Sequence, residues 1–208
     1  MDKTIDDLIN EINGYSANGK SEPTNIKILL GYDVYNPNNR VVESYCRSTN
    51  ISIYKDFEQV AFLMEDLSFQ SSEIFVLGLM LRSLDAASIF LDKLKNISYG
   101  YVKFVEYLYY EKGIVLINRN TKSNLFKNMK SQPITHVLNI GKEMCKKVYK
   151  ELSKHSGIKM AQCLHCSPIN LASLNRDKYY SIWFKYEDIY LNQIQIAPML
   201  SLKDFYIL

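Results

Sequence analysis

The residues best suited to chemistry in this chain are its four cysteines, three histidines and a few isolated acids. Cys163 and Cys166 bracket His165 in the run QCLHCSP, while Cys46 and Cys145 stand alone. A C-x-x-C pair holds zinc when a second ligand pair stands at compatible spacing, and it does redox chemistry when it opens a helix after a strand. Only His155 stands close upstream, no cysteine follows, and the pair precedes Ser167-Pro168, which has the form of a helix start. Small, buried, reduced cysteines are therefore expected, with no metal and no cofactor. Phosphate-cradling loops of the GxGxxG or GxxxxGK[ST] type are missing, as are GxSxG and HExxH. With eight glycines in 208 residues, the sequence points away from an enzyme.

The elements that would position any site read as an α/β chain. Residues 2–13 form an amphipathic helix with Ile5, Leu8, Ile9 and Ile12 on one side, and residues 14–25 a flexible lead. IKILLG (26–31), ISIY (51–54), EIFVLGLML (73–81), YVKFVEYLYY (101–110) and GIVLIN (113–118) read as strands. Between them, residues 41–48, 56–67, 83–96 and 122–131 read as helices. Short apolar strands alternating with helices imply an open, mostly parallel sheet over residues 26–130. SQPIT (131–135) marks the boundary to a small, mainly helical module over 135–208. There 135–157 has a long helical pattern ending at Gly157, 158–166 is open between helix and strand, and 167–182 is a second helix. The tail from 189 onward is open between helix and strand.

Composition supports a globular protein, with 47% hydrophobic and 23% charged residues and a net charge of +3. No window holds 18 uninterrupted apolar residues, and the first 25 lack the apolar core of a secretory signal, so a cytoplasmic protein without a membrane span is expected. Charge is uneven: residues 131–208 carry ten Lys and Arg against six acids, and residues 1–130 carry 15 against 16. A mildly basic back is compatible with a polyanionic partner. Sixteen tyrosines are present, and Tyr101, Tyr107, Tyr109 and Tyr110 fall in one expected strand, as in an interaction surface or a buried layer.

From ISIYKDFEQV to FLDKLKN (51–96), and again in GIVLINRNTKSNLFKNMKS, the rhythm resembles the receiver domain of a bacterial response regulator. The back, IGKEMCKKVYKELSKHSG followed by IKMAQCLHCSPINLASLNRDKYYSI, resembles the LuxR-type helix-turn-helix of the same regulators. A working receiver clusters carboxylates around Mg²⁺ and presents an aspartate nucleophile. Here only Asp33 follows the first strand, the third ends in Gly78, Leu79 and Met80, and Asn118, Arg119 and Asn120 stand where the phosphate-reading lysine belongs. The resemblance thus implies an atypical regulator with a receiver-like fold that is not phosphorylated.

It also implies that 167–182 is a recognition helix entering the major groove of double-stranded DNA. Asn170, Ser173, Asn175, Arg176 and Lys178 are its candidate DNA contacts, Arg176 and Lys178 reaching phosphate or guanine. Paired half-sites would make it a homodimer or a partner of a related regulator. The alternative is a single-domain α/β protein-interaction module, with the back third adding strands and helices to one sheet. A third reading, a degenerate glycosyltransferase-like protein, needs a D-x-D for its metal, and Asp92-Lys93-Leu94 supplies one acid only.

Overall fold

The computed structural model describes residues 3–31, 77–78, 80–118, 133–140, 157–163 and 202–208. Its centre is a parallel sheet of four strands: β1 (Ile26–Gly31), β2 (Ile114–Asn118), β3 (Ile134–Ile140) and β4 (Lys159–Cys163). Their spatial order is β2-β1-β3-β4, every neighbouring pair being parallel. The α/β character expected from the apolar runs is thus present, and two of the runs, 26–31 and 113–118, are strands at nearly the expected bounds.

Both faces of the sheet are dry at the middle of β1, β2 and β3, as a parallel sheet requires. Leu29, Leu116 and Leu138 stand side by side in register and face one way, into the main core. Ile28, Val115 and Val137 face the other way and are also buried. Three helices cover the first face: α1 (Ile5–Asn13), α2 (Leu84–Leu94) and α3 (Gly100–Lys112). Helix α1 follows the expected stripe, with Leu8 and Ile12 fully buried among the residues of α2 and α3. It belongs to the core of the domain and does not precede it as a separate lead. The stretch after it is tied down as well: Tyr15 packs edge-on against Tyr107 at 5.6 Å, and Tyr109 donates its hydroxyl to Glu22.

Helix α2 starts where the sequence places it. Ser83 is its N-cap, with Oγ accepting from the Ala86 amide at 3.2 Å, and Ala87, Phe90, Leu91 and Leu94 form its buried stripe. Removing an N-cap oxygen leaves a helix amide without its partner. Ser83→Ala is therefore expected to destabilise the fold by about 1 kcal/mol, read as a lower urea midpoint at an unchanged slope.

Four expectations are corrected. Residues 101–110 are helix and not strand: α3 buries residues around most of its circumference, from Tyr101, Phe104, Val105 and Leu108 to Tyr107 and Tyr109. A helix covered on most sides carries no narrow apolar stripe, and its aromatic, β-branched sequence then imitates a strand. Leu77, Gly78, Met80 and Leu81 are helical, so the expected strand over 73–81 is not formed there; a short apolar run serves either structure. The long helix expected from 135 is instead strand β3 through Ile140, because a central strand dry on both faces needs apolar residues at consecutive positions. Residues 159–163, left open between helix and strand, form β4.

The fourth correction follows from the third. The boundary expected at 131–135 does not divide the sheet, since β1 pairs with β2 from before it and with β3 from after it. A separate mainly helical module over 135–208 is incompatible with β3 and β4 in this sheet. The receiver-like order changes as well. In that topology the first strand lies beside the second and third, and the fifth stands at the far edge. Here β1 lies between β2 (114–118) and β3 (134–140). The expected elements at 41–48, 51–54, 56–67, 122–131 and 167–182 lie outside the described residues.

A candidate ligand-binding rim and a basic row

All four strands end together. Gly31 is level with Asn118 on one side and Ile140 on the other, and Ile140 is level with Cys163. Among the described strands, β2 follows β1 on one side of the sheet and β4 follows β3 on the other. Between β1 and β3 the order therefore reverses, the point at which open parallel sheets have a crevice outside their strand ends. Gly31 adds no side chain beyond Cα at the centre of this crevice. Asn118, which the receiver resemblance puts where the phosphate-reading lysine belongs, is the last residue of β2, level with Gly31. Asp33, Arg119 and Asn120 themselves lie outside the described residues.

The opposite rim is chemically better furnished. Lys27, His136 and Lys159 are level across β1, β3 and β4, so their side chains share the face covered by the helices. A β-bulge creates this row. Ile26 pairs with Ile134 but Lys27 pairs with His136, leaving Thr135 as the extra residue. The Ile26 amide donates to the Pro133 carbonyl at 2.9 Å, closing the ladder on the far side of the bulge. Were the pairing regular from Ile26–Ile134 onward, Thr135 would lie level with Lys27 and His136 with Ile28, on the other face; the bulge brings His136 level with the lysines.

One acid meets the row. Asp204, in the short 3₁₀ turn Leu202–Phe205, brings Oδ2 to 3.4 Å from His136 Nε2. Lys27 Nζ donates to the Asp204 backbone carbonyl at 2.8 Å, and His136 Nδ1 lies 2.7 Å from Thr135 Oγ1. Phe205 and Ile207 anchor this segment in the core, and the Ile207 amide donates to the Met80 carbonyl at 2.9 Å. Burial holds the pKa of His136 below its ordinary value; Asp204 pulls it up, while Lys159 and Lys27 push it down.

The tyrosines of α3 are used inside the molecule. Tyr107 accepts from Lys3 Nζ at 2.9 Å and donates to Glu11 at 3.1 Å, and Tyr110 packs edge-on against Tyr109 at 5.0 Å. Asp92 sits exposed on α2, 3.8 Å from Lys95, while Lys93 pairs with Asp6 and Leu94 is fully buried. That arrangement offers no D-x-D metal site. Among the described residues no three His, Cys, Asp or Glu gather as a metal site would need, and no helix is long and apolar enough to cross a membrane.

The candidate DNA contacts Asn170, Ser173, Asn175, Arg176 and Lys178 lie outside the described residues, as do Cys166, His155 and His165. The row at the opposite rim was not anticipated from sequence: Lys27, His136, Lys159 and Asp204 are spread over most of the chain, and only the register unites them. No family model matches the chain, and no curated protein or solved structure matches it either.

Proposed function

We propose that this chain is a single-domain α/β protein that binds a small polar ligand at the carboxyl rim of its sheet, between the ends of β1 and β3. One observation carries the reading: strand order β2-β1-β3-β4 reverses direction between β1 and β3, which is where open parallel sheets bind ligands. The reading adopts the single-sheet organisation of the alternative drawn from sequence, and replaces the protein partner with a small ligand because open parallel sheets take small ligands where their strand order reverses. DNA binding through Asn170, Ser173, Asn175, Arg176 and Lys178 is the competing proposal. It draws no support from residues 159–163, which form a sheet strand where the helix-turn-helix resemblance implies the turn.

One experiment separates the two. Thermal melting is followed with a panel of nucleoside diphosphates, sugar phosphates, nicotinamide nucleotides and amino acids. A ligand present at about 100 times its Kd adds about 2.7 kcal/mol, worth roughly 5–10 °C in a domain of this size. Gly31→Val and Asn118→Leu, which crowd the rim, are expected to abolish that shift. Should no ligand move the melt while DNA fragments bind in a salt-dependent way, and should Arg176→Ala with Lys178→Ala remove that binding, the regulator reading replaces this one. Stabilisation that survives both rim variants would also overturn it.

A further inference from the structure

The amino-terminal rim, opposite the crevice, places cationic groups from three strands in one line. Adjacent strands stand about 4.8 Å apart, so the backbones of Lys27 and Lys159 are roughly 10 Å apart with His136 between them, within reach of two lysine side chains meeting on one anion. The groups facing His136 are Lys27 from β1, Lys159 from β4, Asp204 from the 3₁₀ turn and the Thr135 hydroxyl. Lys112, at the end of α3, lies near enough to feel Lys27: burial first, then Lys3 and Lys27, lower its pKa. Among the described residues the row holds two lysines against the single carboxylate of Asp204, which pairs with His136, so positive charge exceeds negative by one with neutral His136 and by two when it is protonated. Asp204 shows that the row accepts a carboxylate oxygen, and Thr135, the bulge residue, is what aims His136 at it.

We infer that the row Lys27–His136–Lys159 is a binding site for a phosphate-type oxyanion, with the Asp204 carboxylate as its built-in competitor. The anion is bound by the two ammonium groups and the imidazole, and it displaces the side chain of Asp204. The Lys27 hydrogen bond to the Asp204 backbone carbonyl and the core anchors Phe205 and Ile207 remain in place, so the 3₁₀ turn stays seated while its carboxylate moves aside. Binding favours the imidazolium, and it therefore strengthens as pH falls through the range in which His136 titrates. The site is independent of the crevice at the other rim.

The test is an NMR titration of the histidine rings of the full chain, with His136→Gln identifying the His136 signal. It is run in roughly 50 mM inorganic phosphate, in a phosphate monoester, and in sodium chloride of equal ionic strength, since screening alone also moves a histidine pKa. Phosphate is expected to raise the His136 pKa by about half a unit or more over chloride. Asp204→Asn keeps the backbone carbonyl and removes the competing charge, and is expected to tighten phosphate binding roughly fivefold. Lys159→Gln, at an exposed position, is expected to weaken it by a similar factor. Tighter binding of the monoester than of the free ion assigns the site to an esterified phosphate, and the reverse assigns it to the ion. An equal His136 pKa in phosphate and chloride overturns the inference, as does an Asp204→Asn variant that is folded by circular dichroism yet binds phosphate no tighter than the wild type.

Discussion

Phe104→Ala is expected to lower the free energy of unfolding by about 3–5 kcal/mol, a large share of the 5–15 kcal/mol of a typical domain. Phe104 is fully buried on α3, and its ring lies 5.0 Å from that of Phe90 on α2. The two rings join the helices in the cluster that also holds Leu8 and Ile12 of α1 and Leu29, Leu116 and Leu138 of the sheet. Alanine there removes the ring's transfer free energy and leaves a void that three helices and a sheet, each fixed by other contacts, close only in part. Urea denaturation reads the change as a fall in midpoint. Exposed Ile89→Ala, on the same helix as Phe90, is the comparison and is expected to move the midpoint little.

Gly113→Ala is expected to cost about 2–4 kcal/mol, part from backbone conformation and part from collision. Gly113 closes α3 with φ +64°, in the left-handed region. A Cβ at this position would stand 2.3 Å from the Asn25 carbonyl oxygen, a backbone atom that cannot swing away. Its own carbonyl accepts the Lys27 amide at 2.7 Å, so any relief of the collision shifts the first rung of the β1–β2 ladder. Gly19 separates the two contributions. It has φ +76° but nothing within 4 Å of the added Cβ, so Gly19→Ala bears the conformational cost alone, about 1 kcal/mol. Equal urea midpoints for the two variants would remove the collision from the account.

Gly113 also marks what the sequence could have shown. A glycine directly after Lys112 is the usual C-terminal signal of a helix, and it argues for helix over 101–110 against the aromatic, β-branched composition. Composition misleads there because Tyr107 and Tyr109 bury their rings yet satisfy their hydroxyls on Glu11 and Glu22, which are remote in sequence. Helices α1 and α2 were legible because each buries one side and leaves the other wet, so Leu8 and Ile12, or Phe90 and Leu94, repeat at helical spacing. Strand β3 was not: Ile134, Val137 and Leu138 fall at the separations of a helical stripe, though alternate residues serve the two faces of the sheet. The row at the amino-terminal rim was beyond local pattern altogether. His136 joins Lys27 and Lys159 only because one extra residue, Thr135, shifts the pairing by a single position.

The neighbours of β1 bear on how the chain is made. Its partners begin at Ile114 and Ile134, so the strand leaves the ribosome long before either exists. At about 5–20 residues per second the delay until β2 appears is roughly 4–17 s, during which IKILLG has neither edge paired. Contacts of such separation also slow closure of the sheet once all the strands are present. Helix α1, with Leu8 and Ile12, waits equally long for the α3 residues that bury it. The nascent amino-terminal third thus carries an unpaired strand and an uncovered apolar helix face until α3, β2 and β3 are made, the kind of exposed surface from which aggregation starts.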